Sequence, residues 1–162
     1  MEPRWLDDEE RQTWITVASV LTRLPQALEA QLQADAGLTL FEYLVLSVLS
    51  MQPERTLRMS ELAMIADGSL PRLSQVISRM EKRGCVRREP DPSDGRYTLA
   101  ILTDDGFERV EAAAPGHVET VRNLIFDPLT RPQRRHLGEV SRRIMQAVDP
   151  SAHCLRSDWK IT

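Results

Sequence analysis

The stretch RMSELAMIADGSLPRLSQVISRMEKRGCVRREPDPSDGRYTLAILT, residues 58–103, predicts two short helices followed by a β-hairpin. The second helix is the better defined, because Ser69 is a favourable N-cap, Pro71 lies in the first turn and Gly84 stands where a left-handed residue ends a helix. One face is apolar, at Leu70, Leu73, Val76, Ile77 and Met80, and the other carries Arg72, Gln75, Arg79, Lys82 and Arg83. That polar face is either a solvated charged surface or a set of hydrogen-bond donors for a partner.

The residues before this helix favour a partner. A short helix over residues 60–66, with Glu61 in its first turn, is followed by a break at Asp67 and Gly68. Two short helices joined by a glycine-containing turn form the helix-turn-helix pattern, whose second helix enters the major groove of DNA. Arginine pairs well with guanine and glutamine with adenine, so Arg72 and Gln75 suit base recognition.

The residues after this helix predict a wing. Residues 85–89 and 97–102 are strand candidates, and the segment between them, residues 90–96, is dense in turn-forming residues. The hairpin would present Arg96 at its tip, where an arginine can enter the narrow and strongly negative minor groove. Asp94 is placed to orient that guanidinium through a charge-assisted hydrogen bond. A winged helix-turn-helix is therefore predicted.

Five short motifs stand in fixed order in this region: Met59-Ser60-Glu61-Leu62-Ala63, Leu73-Ser74 through Glu81-Lys82-Arg83-Gly84, Val86-Arg87-Arg88, Asp91 through Arg96, and Leu102-Thr103-Asp104-Asp105-Gly106. Together they resemble the MarR family of bacterial transcriptional regulators, over about residues 40–110. The family's wing commonly reads Asp-Arg-Arg, whereas this chain has Asp94-Gly95-Arg96 and so lacks the middle arginine.

The resemblance implies a mainly α fold in a single domain, residues 1–162, with a two-stranded hairpin wing. The winged helix-turn-helix would occupy residues 40–110, and helices within 8–36 and 112–150 would form a dimerisation region. The implied function is that of a homodimer, most often a repressor, on double-stranded DNA. A two-fold dimer should read an inverted repeat. The DNA-contacting residues would be Ser69, Leu70, Arg72, Ser74, Gln75, Arg79, Arg88, Asp94, Gly95 and Arg96.

Apolar periodicity predicts four further helices. The first runs from about residue 8 to 34 with Pro25 inside it, and the second covers residues 38–51 with a Thr39–Glu42 capping box. A third starts at an N-cap Thr103 and should be kinked or interrupted at Pro115-Gly116. The last, capped by Thr130 and Gln133, should bury Leu137, Val140, Ile144 and Val148. Residues 52–56 are predicted to be a loop, and residues 149–162 show no periodicity.

Composition and charge bound the class of protein. The 162 residues are 41% hydrophobic and 28% charged, which is ordinary for a soluble domain, and no membrane span or signal peptide is evident, so we expect a cytoplasmic protein. Net charge is −3, but residues 69–101 hold seven basic and four acidic residues, so one basic face is compatible with nucleic-acid binding. The sequence contains no common catalytic motif, and its three histidines are not spaced as metal ligands. We therefore expect no enzyme activity, cofactor or metal.

The sequence is compatible with two kinds of regulatory signal, a small ligand and the oxidation of a thiol. The resemblance implies release from DNA by a small aromatic or phenolic compound, in a pocket lined here by Trp14, Phe41 and Tyr43, with His117 at its edge. Each of these is more often an ordinary core residue. Cys85, expected to be a buried core residue, could instead be a redox-sensing thiol, and Cys154 in the tail should be more exposed. A winged-helix module that binds a protein rather than DNA is the other alternative.

Overall fold

Six α-helices and a three-stranded antiparallel sheet make up the part of the chain that the computed structural model describes, residues 2–66 and 68–150. The helices are α1 (Asp8–Ala36), α2 (Leu40–Ser50), α3 (Met59–Ile65), α4 (Leu70–Lys82), α5 (Asp104–Val121) and α6 (Arg131–Val148). The strands are β1 (Thr56–Arg58), β2 (Val86–Asp91) and β3 (Asp94–Leu102). The expectations for Cys154 and for the tail after residue 150 lie outside the described residues.

The helix ends lie close to where the sequence places them. Thr39 and Glu42 form the capping box of α2, and the Ser69 hydroxyl accepts a hydrogen bond from the backbone N–H of Arg72 at the start of α4. Gly84, two residues after α4, has φ +73°, a conformation that favours glycine and turns the chain into β2. Local side-chain chemistry therefore sets the ends of the helix predicted to read DNA.

The apolar faces of α2, α3 and α4 meet β3 and the first half of α5 in one core. Its fully buried side chains include Leu32, Leu38, Leu46, Leu49, Leu62, Leu73, Ile77 and Met80. All of the apolar face predicted for α4 except Leu70 is buried there, whereas Leu70 is 50% exposed. This core fixes α4 against α2 and the sheet, and leaves its polar face outside.

The sheet differs from the prediction in two ways. Residues 56–58 form β1, which pairs with β3 in the order β1-β3-β2. This strand was not predicted, because three residues are too few to show an alternating pattern. The wing strands are also longer than expected, because Asp91 pairs with Asp94 and only Pro92 and Ser93 form the turn. Arg96 therefore lies inside β3, next to the tip and not on it.

Neither internal proline interrupts its helix. Both α1 through Pro25 and α5 through Pro115 are continuous, so the interruption expected as one of two outcomes at Pro115-Gly116 does not occur. A proline removes one backbone hydrogen bond, and the packing of α1 along α5 offsets that loss. A π-helical segment, Arg122–Phe126, follows α5.

Two apolar stripes are exposed in the single chain. Residues Leu137, Val140, Ile144 and Val148 of α6 are 41, 52, 52 and 73% exposed, so the expected burial does not occur within one chain. In α1, Trp14, Val17 and Leu21 are 55, 37 and 63% exposed. Contiguous exposed apolar surface of this kind marks an interaction surface.

Within residues 2–66 and 68–150, no single helix is long and apolar enough to cross a membrane, although α1 and α2, which meet at 74°, pass together on length and composition.

Candidate nucleic-acid interface

The polar face of α4 is open to solvent at the positions predicted to meet base edges. Arg72 and Gln75 are exposed and Ser74 is half-buried between them. The Arg72 guanidinium lies 4.2 Å from the centre of the Phe41 ring, and a Cβ atom on Gly68 would come within 2.8 Å of that ring. Phe41 thus packs between the start of α4 and the turn before it, which fixes the direction in which the N-terminal part of α4 points.

Arg79 has an internal partner that the sequence did not reveal. Its Nε lies 3.5 Å from the carboxylate of Glu42, which is 4% exposed. Arg83 approaches the same carboxylate at 3.4 Å and donates to the Gly37 carbonyl at 3.0 Å. A buried carboxylate needs such partners, so Glu42 joins α2 to α4. The Arg79 side chain remains 56% exposed.

Arg88 is also held within the chain. Its guanidinium lies 2.6 Å from the Glu81 carboxylate and donates to Ser78 at 3.2 Å, and its backbone N–H donates to Glu81 at 3.0 Å. These bonds attach β2 to the C-terminal half of α4. Arg88 is therefore a less available phosphate ligand than the sequence suggested.

Among the arginines of the wing strands, Arg96 has the most exposed side chain. Its side chain is 83% exposed, and its Nε and Nη2 donate to the Asp94 carboxylate at 2.9 and 2.6 Å. The expected Asp94–Arg96 hydrogen bonds are thus present, and they hold the pKa of Asp94 below its usual value and raise that of Arg96. Gly95, between them, has open space where a side chain would start.

A group of contacts around Arg58 at the wing was not predicted from the sequence. Asp91, 7% exposed, accepts hydrogen bonds from the Ser93 hydroxyl and backbone N–H at 2.7 and 2.8 Å, and these, with the Arg58 guanidinium at 2.7 Å, lower its pKa to about 2. The Arg58 guanidinium also lies 4.4 Å from the centre of the Tyr97 ring. Asp-Pro-Ser signals the turn in the sequence, but nothing local signals a partner 33 residues away.

The four residues expected to line an effector pocket are not brought together. Phe41 lines an open cavity of about 620 Å³ between α1, α2 and α4, whose lining includes neither Trp14, Tyr43 nor His117. Tyr43 and His117 instead pack against each other with ring centres 4.5 Å apart and ring planes tilted by 49°, and burial lowers the pKa of His117. Trp14 is 55% exposed on α1.

Within the described residues, the surroundings of Cys85 do not favour a redox-sensing thiol. Cys85 is 1% exposed, as expected for a core residue, and its thiol faces the Arg83 carbonyl at 3.6 Å. A redox-sensing thiol needs access to solvent. No group of three or more His, Cys, Asp or Glu side chains within residues 2–66 and 68–150 is arranged to hold a metal ion.

Comparison with known proteins identifies one family model and several similar solved structures. A family model described as the MarR family matches residues 36–96. The crystal structure of Sco3205, a MarR family transcriptional regulator from Streptomyces coelicolor in complex with DNA, is 45% identical and covers 93% of this chain and 94% of that one, with a TM-score of 0.89. AbsC, a MarR family transcriptional regulator from the same organism, is 38% identical over 90% of this chain and 98% of its own, with a TM-score of 0.86.

The first curated relatives match a little under half of this chain. Transcriptional regulator HosA of Escherichia coli O111:H- is 35% identical over 75 residues, which are 46% of this chain and 55% of HosA. The chain thus matches about half the length of the curated relatives with which it aligns first. Over 93% and 90% of its length, respectively, it is similar to Sco3205 and AbsC.

Proposed function

The chain belongs to the MarR family of transcriptional regulators, and we propose that it represses transcription as a homodimer bound to an inverted-repeat operator in double-stranded DNA. The observation that carries the proposal is the exposed polar face of α4 beside a wing whose Arg96 is 83% exposed. Sco3205 was crystallised with DNA, and its fold matches this chain closely. Blocking of promoter access is the simplest consequence of such binding.

We assign the contacts from the exposure of each side chain. Arg72, Ser74 and Gln75 read base edges, while Ser69 and Leu70 bring the N-terminus of α4 close to a phosphate. Arg96 enters the minor groove with Asp94 holding its guanidinium, and the backbone at Gly95 runs beside it. Arg79 and Arg88 meet phosphates as secondary contacts, because Glu42 and Glu81 already occupy part of their hydrogen-bonding capacity.

The exposed apolar stripes of α1 and α6 supply the proposed dimer interface. Pairing them with a second copy would place the two α4 helices about one DNA turn, roughly 34 Å, apart. The variant Ile144→Glu introduces a charge into the stripe, and we expect it to sediment as a monomer and lose operator binding. The matched control Gln146→Glu adds the same charge about 200° around α6 and should remain dimeric. A dimeric Ile144→Glu variant would exclude this face from the interface.

The first test is selection of bound duplexes from a random pool by the purified protein at moderate salt. Enrichment of an inverted repeat supports both the operator and the dimer. Absence of enrichment from a folded, dimeric protein would instead point to a protein partner for the basic face of α4.

The wing is tested with Arg96→Ala on the selected duplex. We expect affinity to fall on the order of 10- to 100-fold with folding unchanged, since one well-placed minor-groove arginine is lost. Arg55→Ala removes another acid-paired arginine, outside both the DNA-contacting set and the two dimerisation segments, and is the control. Equal affinities of the two variants would remove the wing from the mechanism.

Release by a small aromatic compound belongs to the same proposal. The cavity beside Phe41 supports it, because Arg72, Gln75 and Arg79 of α4 form one of its walls. Simple phenols added to the protein–duplex complex should displace the duplex, and Phe41→Leu should weaken that response. Displacement that is unaltered in Phe41→Leu would place the effector elsewhere.

A further inference from the structure

We propose that Arg58 is a positioning residue for the wing: it sets the direction of the wing, and hence of Arg96, without touching DNA. The inference rests on the proposed function and goes beyond its contact residues. Arg58 ends β1 and caps α3, so its backbone belongs to the helix-turn-helix, while its side chain reaches the hairpin.

One guanidinium contacts both strands of the wing and the turn between them. It lies 2.7 Å from the Asp91 carboxylate at the end of β2, 3.4 Å from the Ser93 hydroxyl in the turn, and 4.4 Å from the centre of the Tyr97 ring on β3. The planar shape of arginine allows stacking and paired hydrogen bonding at once, which lysine cannot reproduce. A displacement of the hairpin relative to α3 would break all three contacts.

The outer wing has few other attachments. The pairing of β1 with β3 ends at Arg58 and Leu99, so residues 94–98 extend beyond the last partner on that edge. Within the described residues, the side-chain hydrogen bonds from residues 91–97 to the rest of the chain all go to Arg58. Glu81 and Arg88 fix β2 nearer its start, close to α4. Arg58 is therefore the side chain that controls the segment carrying Arg96.

Arg58 is poorly suited to bind DNA itself. Its side chain is 35% exposed, compared with 83% for Arg96, and its charge is paired with the nearly buried Asp91. A phosphate would have to compete with that carboxylate and with the Tyr97 ring. A direct contact and a positioning role can be separated by experiment.

The chain supplies a matched control at the other end of β1. Arg55 uses the same chemistry, with its guanidinium 3.8 Å from the centre of the Phe107 ring and 2.9 Å from the Asp104 carboxylate. Those partners belong to α5 and not to the wing. Arg58→Met and Arg55→Met thus remove the same types of contact, a ring contact and an ion pair, from different elements.

The first measurement is hydrogen exchange on the free protein. In Arg58→Met, the amides of residue 91 and residues 93–98 should exchange at least about fivefold faster, because local opening of the hairpin becomes easier. The remaining amides should be unchanged, and Arg55→Met should leave the wing unaltered. Unchanged wing exchange in Arg58→Met overturns the proposal whatever the protein binds. Arg58→Lys should show the same increase, and a thermal melt checks that each variant is folded.

The second measurement is a double-mutant cycle on the inverted repeat selected by the wild-type protein. Arg58→Met should weaken binding about tenfold in the wild-type background and less than about twofold in the Arg96→Ala background, because the contact it positions is already gone. An equal loss in both backgrounds would identify Arg58 as a direct phosphate contact and overturn the proposal. Failure of the wild-type protein to select any duplex would refute the proposed function, while the exchange result would still decide whether Arg58 positions the wing.

Discussion

Replacing Gly95 with arginine should strengthen DNA binding in a salt-dependent way. The structure allows the change, because a Cβ atom at Gly95 meets no heavy atom within 4 Å and the residue does not have a positive φ. Its neighbour Arg96 is 83% exposed, and residues 94–98 extend beyond the pairing with β1, so residue 95 also lies in the outer part of the wing. Gly95→Arg supplies the cation that the family's wing usually carries here.

The magnitude follows from counterion release. One new phosphate contact in each half of the proposed dimer adds about 1.8 to the steepness of log affinity against log salt, at about 0.9 per phosphate. Between about 50 and about 200 mM salt, the advantage of Gly95→Arg over the wild type should therefore shrink by about 12-fold. Folding should be unaffected, because the site is on the surface and unstrained.

Fluorescence anisotropy with a labelled copy of the selected duplex, measured at four or five salt concentrations, gives the slope directly. Gly95→Gln is the control, since it adds a long polar side chain without charge and should leave the slope unchanged. A Gly95→Arg slope equal to that of the wild type would show that this part of the wing does not face phosphates. An equal gain in Gly95→Gln would show that charge is not the cause.

Two further predictions concern the scaffold. Gly106→Ala should lower the free energy of unfolding, measured with urea, by about 1–3 kcal/mol, because its Cβ would lie 2.1 Å from the Cys85 carbonyl oxygen. Gly138→Ala, whose Cβ meets nothing closer than 3.6 Å, should raise it by up to about 1 kcal/mol. The opposite order of the two variants would refute the packing argument. Burial lowers the pKa of His117 from 6.5, so its contribution to stability is complete above about pH 6.5 and declines as the pH falls towards its folded pKa. His117→Gln should therefore flatten the decline of the urea midpoint between about pH 7 and 5. If the decline is unaltered in this variant, other titratable groups cause it.

The sequence predicts the elements that depend on neighbouring residues. Ser69 and Gly84 mark the limits of α4 because caps act over a few residues, and the Asp94–Arg96 contact follows from a spacing of two. The capping box of Thr39 and Glu42 was predicted for the same reason. These features are encoded locally, so a single sequence reveals them.

What the sequence missed depends on residues that are distant in the chain. The second role of Glu42, as partner of Arg79 and Arg83, joins residues 37 and 41 positions apart. The pairing of Arg58 with Asp91 is equally non-local. The stripe on α6 was recognised as apolar, but its periodicity does not tell whether the same chain or another one covers it. Aromatic residues in a sequence likewise do not reveal whether they share a pocket: Tyr43 contacts His117, and neither lines the cavity beside Phe41.

The shared wall of that cavity has a thermodynamic consequence. Arg72, Gln75 and Arg79 line the cavity and also belong to the face of α4 assigned to DNA. A compound that binds there and lowers affinity for the operator by some factor must, by linkage, bind the operator-bound protein more weakly by the same factor. Molecules free of DNA would respond to lower concentrations of the compound than molecules already on the operator. The number of operators in the cell would then help to set the dose at which genes respond.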